Sequence, residues 1–105
     1  MQSVPLSRPD ITSKEIASVM EVLSSPYLAL GPKMAEFERA VAEYIGCRHA
    51  VAVNSGTSGL HLLIRAFGIG ENDEVITTPF SFIASSNCIL YERARPVFVD
   101  VEPET

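Results

Sequence analysis

Apolar positions recur along the chain first with helical spacing and then as short runs between turns. Ile16, Val19, Met20 and Leu23 follow i, i+3, i+4 and i+7, which predicts a helix with one buried stripe, capped by Thr12 or Ser13 and ending before Pro26. After the loop Ser25 to Pro32, Met34, Phe37, Val41, Tyr44 and Ile45 form a second stripe directed inward. Glu36, Glu38, Arg39 and Glu43 face water, and Gly46 stops the helix. From His49 the pattern changes. His49 to Val53 reads as a strand that empties into a Gly/Ser/Thr turn, and a third helix follows with Leu60, Leu63, Ile64 and Phe67 on its inner face, closed by Gly68 and Gly70. A strand Glu74 to Thr78, a helix Ser81 to Tyr91 and a strand Pro96 to Val101 complete a β-α-β-α-β series. Such alternation predicts an α/β fold with a parallel sheet and right-handed crossovers. Residues 1–48 are expected to form an N-terminal helical segment and residues 49–105 a βαβαβ unit. No internal repeat is visible.

Composition narrows the function classes. At 105 residues and 47% apolar content, the chain can build one small core. A net charge of −5 leaves no basic stripe, so neither nucleic acid nor an anionic membrane surface is an expected partner. Cys47 and Cys88 lack metal-ligand spacing and are expected as buried free thiols in a reducing cytoplasm. The N-terminus carries no basic region followed by an apolar core, and no segment is apolar over a bilayer's width; a soluble, cytoplasmic protein is expected.

Chemistry concentrates in Asn54-Ser55-Gly56-Thr57-Ser58-Gly59. Glycines let the backbone approach an anion closely, the unpaired N–H groups of a helix's first turn point at it, and hydroxyls add donors. This is the construction of a phosphate cradle. The P-loop pattern is absent because no lysine stands near the turn, and the dinucleotide fingerprint is absent too, which disfavours ATP and NAD. Gly56-Thr57-Ser58-Gly59 misses the nucleophile-elbow pattern by one position; Ser58 as a nucleophile needs a partner, and His49 and His61 are both poorly placed for it. Ligands in parallel sheets sit beyond the carboxyl ends of the strands. Phe80 and Phe82 stand at that end of the Glu74 to Thr78 strand, so they either offer a face to a flat, phosphorylated, aromatic ligand or pack as core residues of the next helix.

The run Asn54 to Leu62, the segment Gly70 to Ile76, Pro79-Phe80-Ser81-Phe82, Asn87 and Pro96 to Val101 closely resemble the N-terminal part of the DegT/DnrJ/EryC1/StrS family of pyridoxal-phosphate-dependent sugar aminotransferases. Pro5 to Pro9 and Leu30-Gly31-Pro32 before Phe37-Glu38 add to the resemblance, which covers nearly the whole chain. It implies the N-terminal part of a fold type I large domain, a three-layer α/β/α arrangement with a mostly parallel sheet. It implies pyridoxal 5'-phosphate as cofactor, with Gly56, Thr57 and Ser58 on its phosphate and Phe82 against its ring. Asn54, Ser55 and Asn87 have plainer roles as turn or capping groups. The Tyr27 to Lys33 loop resembles a segment at the active-site rim of the family's dimers.

The resemblance further implies that the Schiff-base lysine and the aspartate paired with the pyridine nitrogen lie beyond this chain. Lys14 and Lys33 match neither position and are expected as solvated surface groups; Asp100 is not the pyridine partner. The chain is therefore expected to be an N-terminal fragment, inactive alone, of a homodimeric enzyme. That enzyme would aminate a keto sugar, nucleotide-linked, with glutamate as donor, in surface polysaccharide or amino-sugar biosynthesis. Two alternatives stay open: a sugar dehydratase of the same family, distinguished by the residue at the lysine position, and a non-catalytic module that binds a phosphorylated ligand.

Overall fold

The computed structural model describes residues 5–104; residues 1–4 and Thr105 lie outside the described residues. The chain divides into two compact units, Met1–Ala52 and Val53–Thr105.

The first unit holds α1 (Ser13–Leu23) and α2 (Pro32–Ile45). Local chemistry sets both helices. Thr12 caps α1 in a reciprocal box: its Oγ1 accepts from the Lys14 N–H at 3.2 Å, and its own N–H donates to Glu15 Oε2 at 2.6 Å. The Thr12 hydroxyl, and after it the Thr12 N–H, hold the Glu15 carboxyl below the ordinary carboxylate range. α2 opens on Pro32, where the missing N–H costs nothing, and closes on Gly46 at φ 76°. Gly31, ahead of it, stands where a Cβ would come within 2.9 Å of Tyr27 Cβ. Lys33 Nζ reaches Glu36 at 3.1 Å and Glu21 of α1 at 3.2 Å, and these bonds, Glu36 first, raise its pKa.

Two expectations for this unit are corrected. The helical stripes are exposed, not inward: Ile16 is 57% and Phe37 59% accessible, and Ala42 is the one buried residue of α2. Periodicity sets which residues share a face, but burial needs a second layer, and the unit offers none. His49 to Val53 also forms no strand. Its Ala52 N–H donates to Glu38 Oε1 at 2.8 Å instead of to a neighbouring strand. Cys47 is exposed, against expectation, whereas Cys88 of the second unit is buried as expected.

The second unit runs α3 (Gly56–Ala66), β1 (Glu74–Thr77), α4 (Ala84–Tyr91) and β2 (Arg95–Phe98). β1 and β2 pair in parallel with Glu74 opposite Arg95 and Thr77 opposite Phe98. Arg95 N–H to Asp73 O at 2.9 Å and Val99 N–H to Thr77 O at 3.0 Å complete the ladder at its two ends. β2 stops at Phe98, short of the expected Val101, because β1 has no residue left to pair. α4 starts three residues later than expected: the carbonyls of Phe82 and Ile83 accept from Ser85, Ser86 and Asn87 and so form its first turn, leaving Ser81 and Phe82 in the loop.

The core is Cys88, Ile89 and Ala94, with Ile64, Ile69 and Val75 packed against it. Ile89 is 1% exposed and sits at its centre. The end of α3 feeds this core directly. Gly68 at φ 70° lets its N–H reach Arg65 O and the Ile69 N–H reach Ile64 O, which brings Ile69 back onto Ile64. The expected inner face of α3 is corrected in part: Ile64 packs inward, but Leu60, Leu63 and Phe67 are 40%, 56% and 77% exposed. Thr57, His61 and Ile64 form the half-buried face instead.

Candidate phosphate and ring site

Ser55 is the N-cap of α3, and its Oγ accepts from the Ser58 N–H at 3.2 Å. Ser58 Oγ in turn donates to Asn54 Oδ1 at 2.7 Å and lies 3.0 Å from Ser55 Oγ. The Gly59 N–H donates to the Ser55 carbonyl at 3.1 Å, the first bond of the helix. Asn54 and Ser55 thus take the turn and capping roles their residue types imply. What this network leaves open is specific. The N–H groups of Gly56 and Thr57 have no partner among the described residues and stand at the positive end of the α3 dipole.

A cleft of about 280 Å³ borders this helix end and is lined by Gly56, Thr57, Leu60, Ser81, Phe82, Ala84 and Ser85. Three of the four expected site residues, Gly56, Thr57 and Phe82, therefore meet in one place. Ser58 does not line the cleft; its donors are spent on Asn54 and Ser55. A Cβ built on Gly56 meets no atom within 4 Å, so the side-chain side of this cleft-lining residue is open. No charged side chain lines the cleft. An anion held here is met by backbone dipoles and the Thr57 hydroxyl, which suits the acidic balance of the chain.

Phe80 and Phe82 are 87% and 76% exposed, so within this chain neither is a core residue. Only Phe82 of the two lines the cleft. The nucleophile reading of Ser58 finds no support in the geometry, because His61 Nε2 is bound to Glu92 Oε1 at 2.6 Å and Ser58 Oγ to Asn54. Ser81 and Ser85, which sequence reasoning did not assign to the site, line it from the other side. Their signal was available in the loop's place at the carboxyl end of β1. Ser85 Oγ donates to Phe82 O at 3.0 Å and braces the loop that carries the aromatic ring. Among the described residues no helix is long and apolar enough to cross a membrane, and no His/Cys/Asp/Glu group is placed to hold a metal ion.

The profile of the DegT/DnrJ/EryC1/StrS aminotransferase family matches residues 9–105. The chain is similar to the spore coat polysaccharide biosynthesis protein SpsC of Bacillus subtilis, 46% identical over 102 residues, covering 97% of this chain and 26% of that protein. It is similar also to the UDP-4-amino-4-deoxy-L-arabinose–oxoglutarate aminotransferase of Shewanella sediminis, 42% identical over 101 residues, covering 96% of this chain and 26% of that one. Among solved structures, the PLP form of Spr1654 from Streptococcus pneumoniae superposes with a TM-score of 0.93 at 38% identity, over 99% of this chain and 26% of that chain. The chain thus spans about a quarter of the length of the relatives it matches. With the parallel β1–α4–β2 unit, the cradle turn and a match running almost from end to end, the chain belongs to the DegT/DnrJ/EryC1/StrS aminotransferase family.

Proposed function

We propose that the cleft beside α3 holds pyridoxal 5'-phosphate, and that the protein carrying this segment is a sugar aminotransferase. The observation that carries this reading is the pairing of two open helix-end N–H groups, Gly56 and Thr57, with the Phe82 ring around one uncharged cleft. The residues fit the group chemically: N–H donors and the Thr57 hydroxyl for a phosphate, an exposed aromatic face for a pyridine ring. Ser58 is assigned to the same phosphate, exchanging its bond to Asn54 for one to the anion. When bound, the cofactor supplies an electron sink for bonds broken beside the transferred nitrogen. The residues of this segment bind and orient. The α3 end fixes the phosphate, Phe82 fixes the plane of the ring, and Leu60 and Ala84 keep the cleft wall apolar. The lysine that exchanges protons, and the acid on the pyridine nitrogen, are assigned to the polypeptide beyond residue 105.

The substrate is proposed to be a nucleotide-linked keto sugar and the donor glutamate, in surface polysaccharide or amino-sugar biosynthesis, by a cytoplasmic homodimer. The names of the Shewanella and Bacillus relatives, one an oxoglutarate aminotransferase of a UDP-sugar and one a polysaccharide biosynthesis protein, support this choice. The test is an absorbance spectrum of the polypeptide from the full reading frame with pyridoxal 5'-phosphate, before and after glutamate. A bound-cofactor band that shifts to the aminated form on adding glutamate is the expected result. A cofactor band that glutamate leaves unchanged refutes the donor, and no band at all refutes the cofactor.

A further inference from the structure

Because α3 supplies Gly56 and Thr57 to the cleft while the loop into α4 supplies Ser81 and Phe82, the rotation of α3 about its axis sets where the donors stand relative to the ring. Among the described residues, apolar packing alone leaves that rotation loosely defined. Ile64 is the α3 residue packed on the buried cluster; Leu60, one turn before it on the same side, is 40% exposed and lines the cleft, whereas Leu62 and Leu63 on other sides of the helix are 49% and 56% exposed. The apolar stripe of the sequence shares Ile64 with the observed face and extends from it towards Leu63 and Phe67.

One directional contact selects the observed face. His61 lies one turn after Thr57, about 6 Å along the same side of the helix. Its Nε2 is 2.6 Å from Glu92 Oε1, with the two side chains 34% and 19% exposed. Arg65, a turn further on, places Nη1 3.5 Å from the same oxygen, and Tyr91 packs edge-on against the His61 ring at 5.2 Å. Glu92 is the C-cap of α4, where the helix dipole disfavours a carboxylate, so its placement answers to α3 and not to its own helix.

We propose that His61 and Glu92 are a positioning pair that fixes the rotation of α3, and with it the aim of Gly56 and Thr57 at a phosphate whose ring lies on Phe82. The inference rests on the cofactor reading above. It separates ligands by their span: inorganic phosphate meets only the α3 end, while pyridoxal 5'-phosphate must meet α3 and Phe82 together. Glu92→Ala, in the polypeptide from the full reading frame, is therefore expected to weaken pyridoxal 5'-phosphate about tenfold and to leave inorganic phosphate, measured by competition, within about twofold. Glu92→Gln keeps an acceptor for His61 and is expected to bind the cofactor as the wild type does. His61→Asn, too short to reach Glu92 yet readily hydrated, makes the same test should Glu92→Ala not fold.

Unchanged cofactor affinity in both disruptive variants overturns the positioning role. So does a parallel loss of both ligands, or a Glu92→Gln variant as weak as Glu92→Ala, because simple destabilisation produces these. A wild-type protein that binds no pyridoxal 5'-phosphate overturns the cofactor reading itself, and the positioning role falls with it.

Discussion

The two units of the chain reach their helices by different routes. In the first, α1 and α2 are specified by their ends: a Thr12/Glu15 capping box, a proline at the first position of α2, a left-handed Gly46. Their apolar stripes stay exposed. In the second, α3 and α4 close on a shared core of Cys88, Ile89 and Ala94, and the same packing brings the α3 end and Phe82 to one cleft. Local signals suffice to start and stop a helix, but a site built from two elements needs a core to hold them in register.

The sharpest way to break this contrast is to remove a side chain from each unit. Ile89→Ala is expected to cost about 2–5 kcal/mol, the range for a fully buried isoleucine, because the cavity cannot collapse in so small a core. Ile16→Ala, at a 57% exposed position, is expected to change the stability of the 105-residue chain by less than about 0.5 kcal/mol. Chemical denaturation of each variant compares them; equal losses would show that α1 has a core of its own.

At the α1 cap, Thr12→Ala is expected to cost about 1 kcal/mol of helix stability, read by circular dichroism. The same cap gives α1 a pH dependence. The Glu15 carboxyl is held down in the folded state, so its contribution is present above the ordinary carboxylate pKa and is lost as pH falls through the folded value. Helicity of α1 is thus expected to decline in acid in the wild type, and less so in Thr12→Ala.

A gain of stability, not a loss, is expected where α4 ends. Arg93 sits at φ 62° in the same turn that Gly68 makes after α3, with its N–H on Leu90 O and the Ala94 N–H on Ile89 O. A residue with a Cβ is strained there, so Arg93→Gly is expected to stabilise the second unit by about 1 kcal/mol, checked by thermal unfolding.

Much of this was legible in the sequence, and the failures have a common cause. Thr12, Pro26, Gly46 and Gly68 marked helix ends because their chemistry is local. The turn and cap that open α3 were legible because Ser55 and the glycines act on the backbone beside them. His49 to Val53 failed as a strand because strands are defined by neighbours, and sequence does not say where the neighbour lies. Leu60, Leu63 and Phe67 failed as a buried face for a related reason: α3 is apolar on several sides, and the His61–Glu92 contact, 31 residues apart in sequence, decides between them. Ser58 was legible by type as a donor for an anion, whereas its bonds to the Ser55 cap and to Asn54 follow from side-chain geometry.

The central claim is that Gly56 and Thr57 grip a phosphate in front of Phe82. It is tested most directly by titrating the polypeptide from the full reading frame with pyridoxal 5'-phosphate and with pyridoxal, in the wild type and in Gly56→Ala. A Cβ at Gly56 meets no protein atom, so the variant is expected to fold as the wild type does while a methyl group is added to the wall of the proposed phosphate cleft. The expected result is a wild type that prefers the phosphorylated ligand by about a hundredfold, a preference that closes in Gly56→Ala. Equal binding of the two ligands by the wild type, or an undiminished preference in the variant, would contradict the claim.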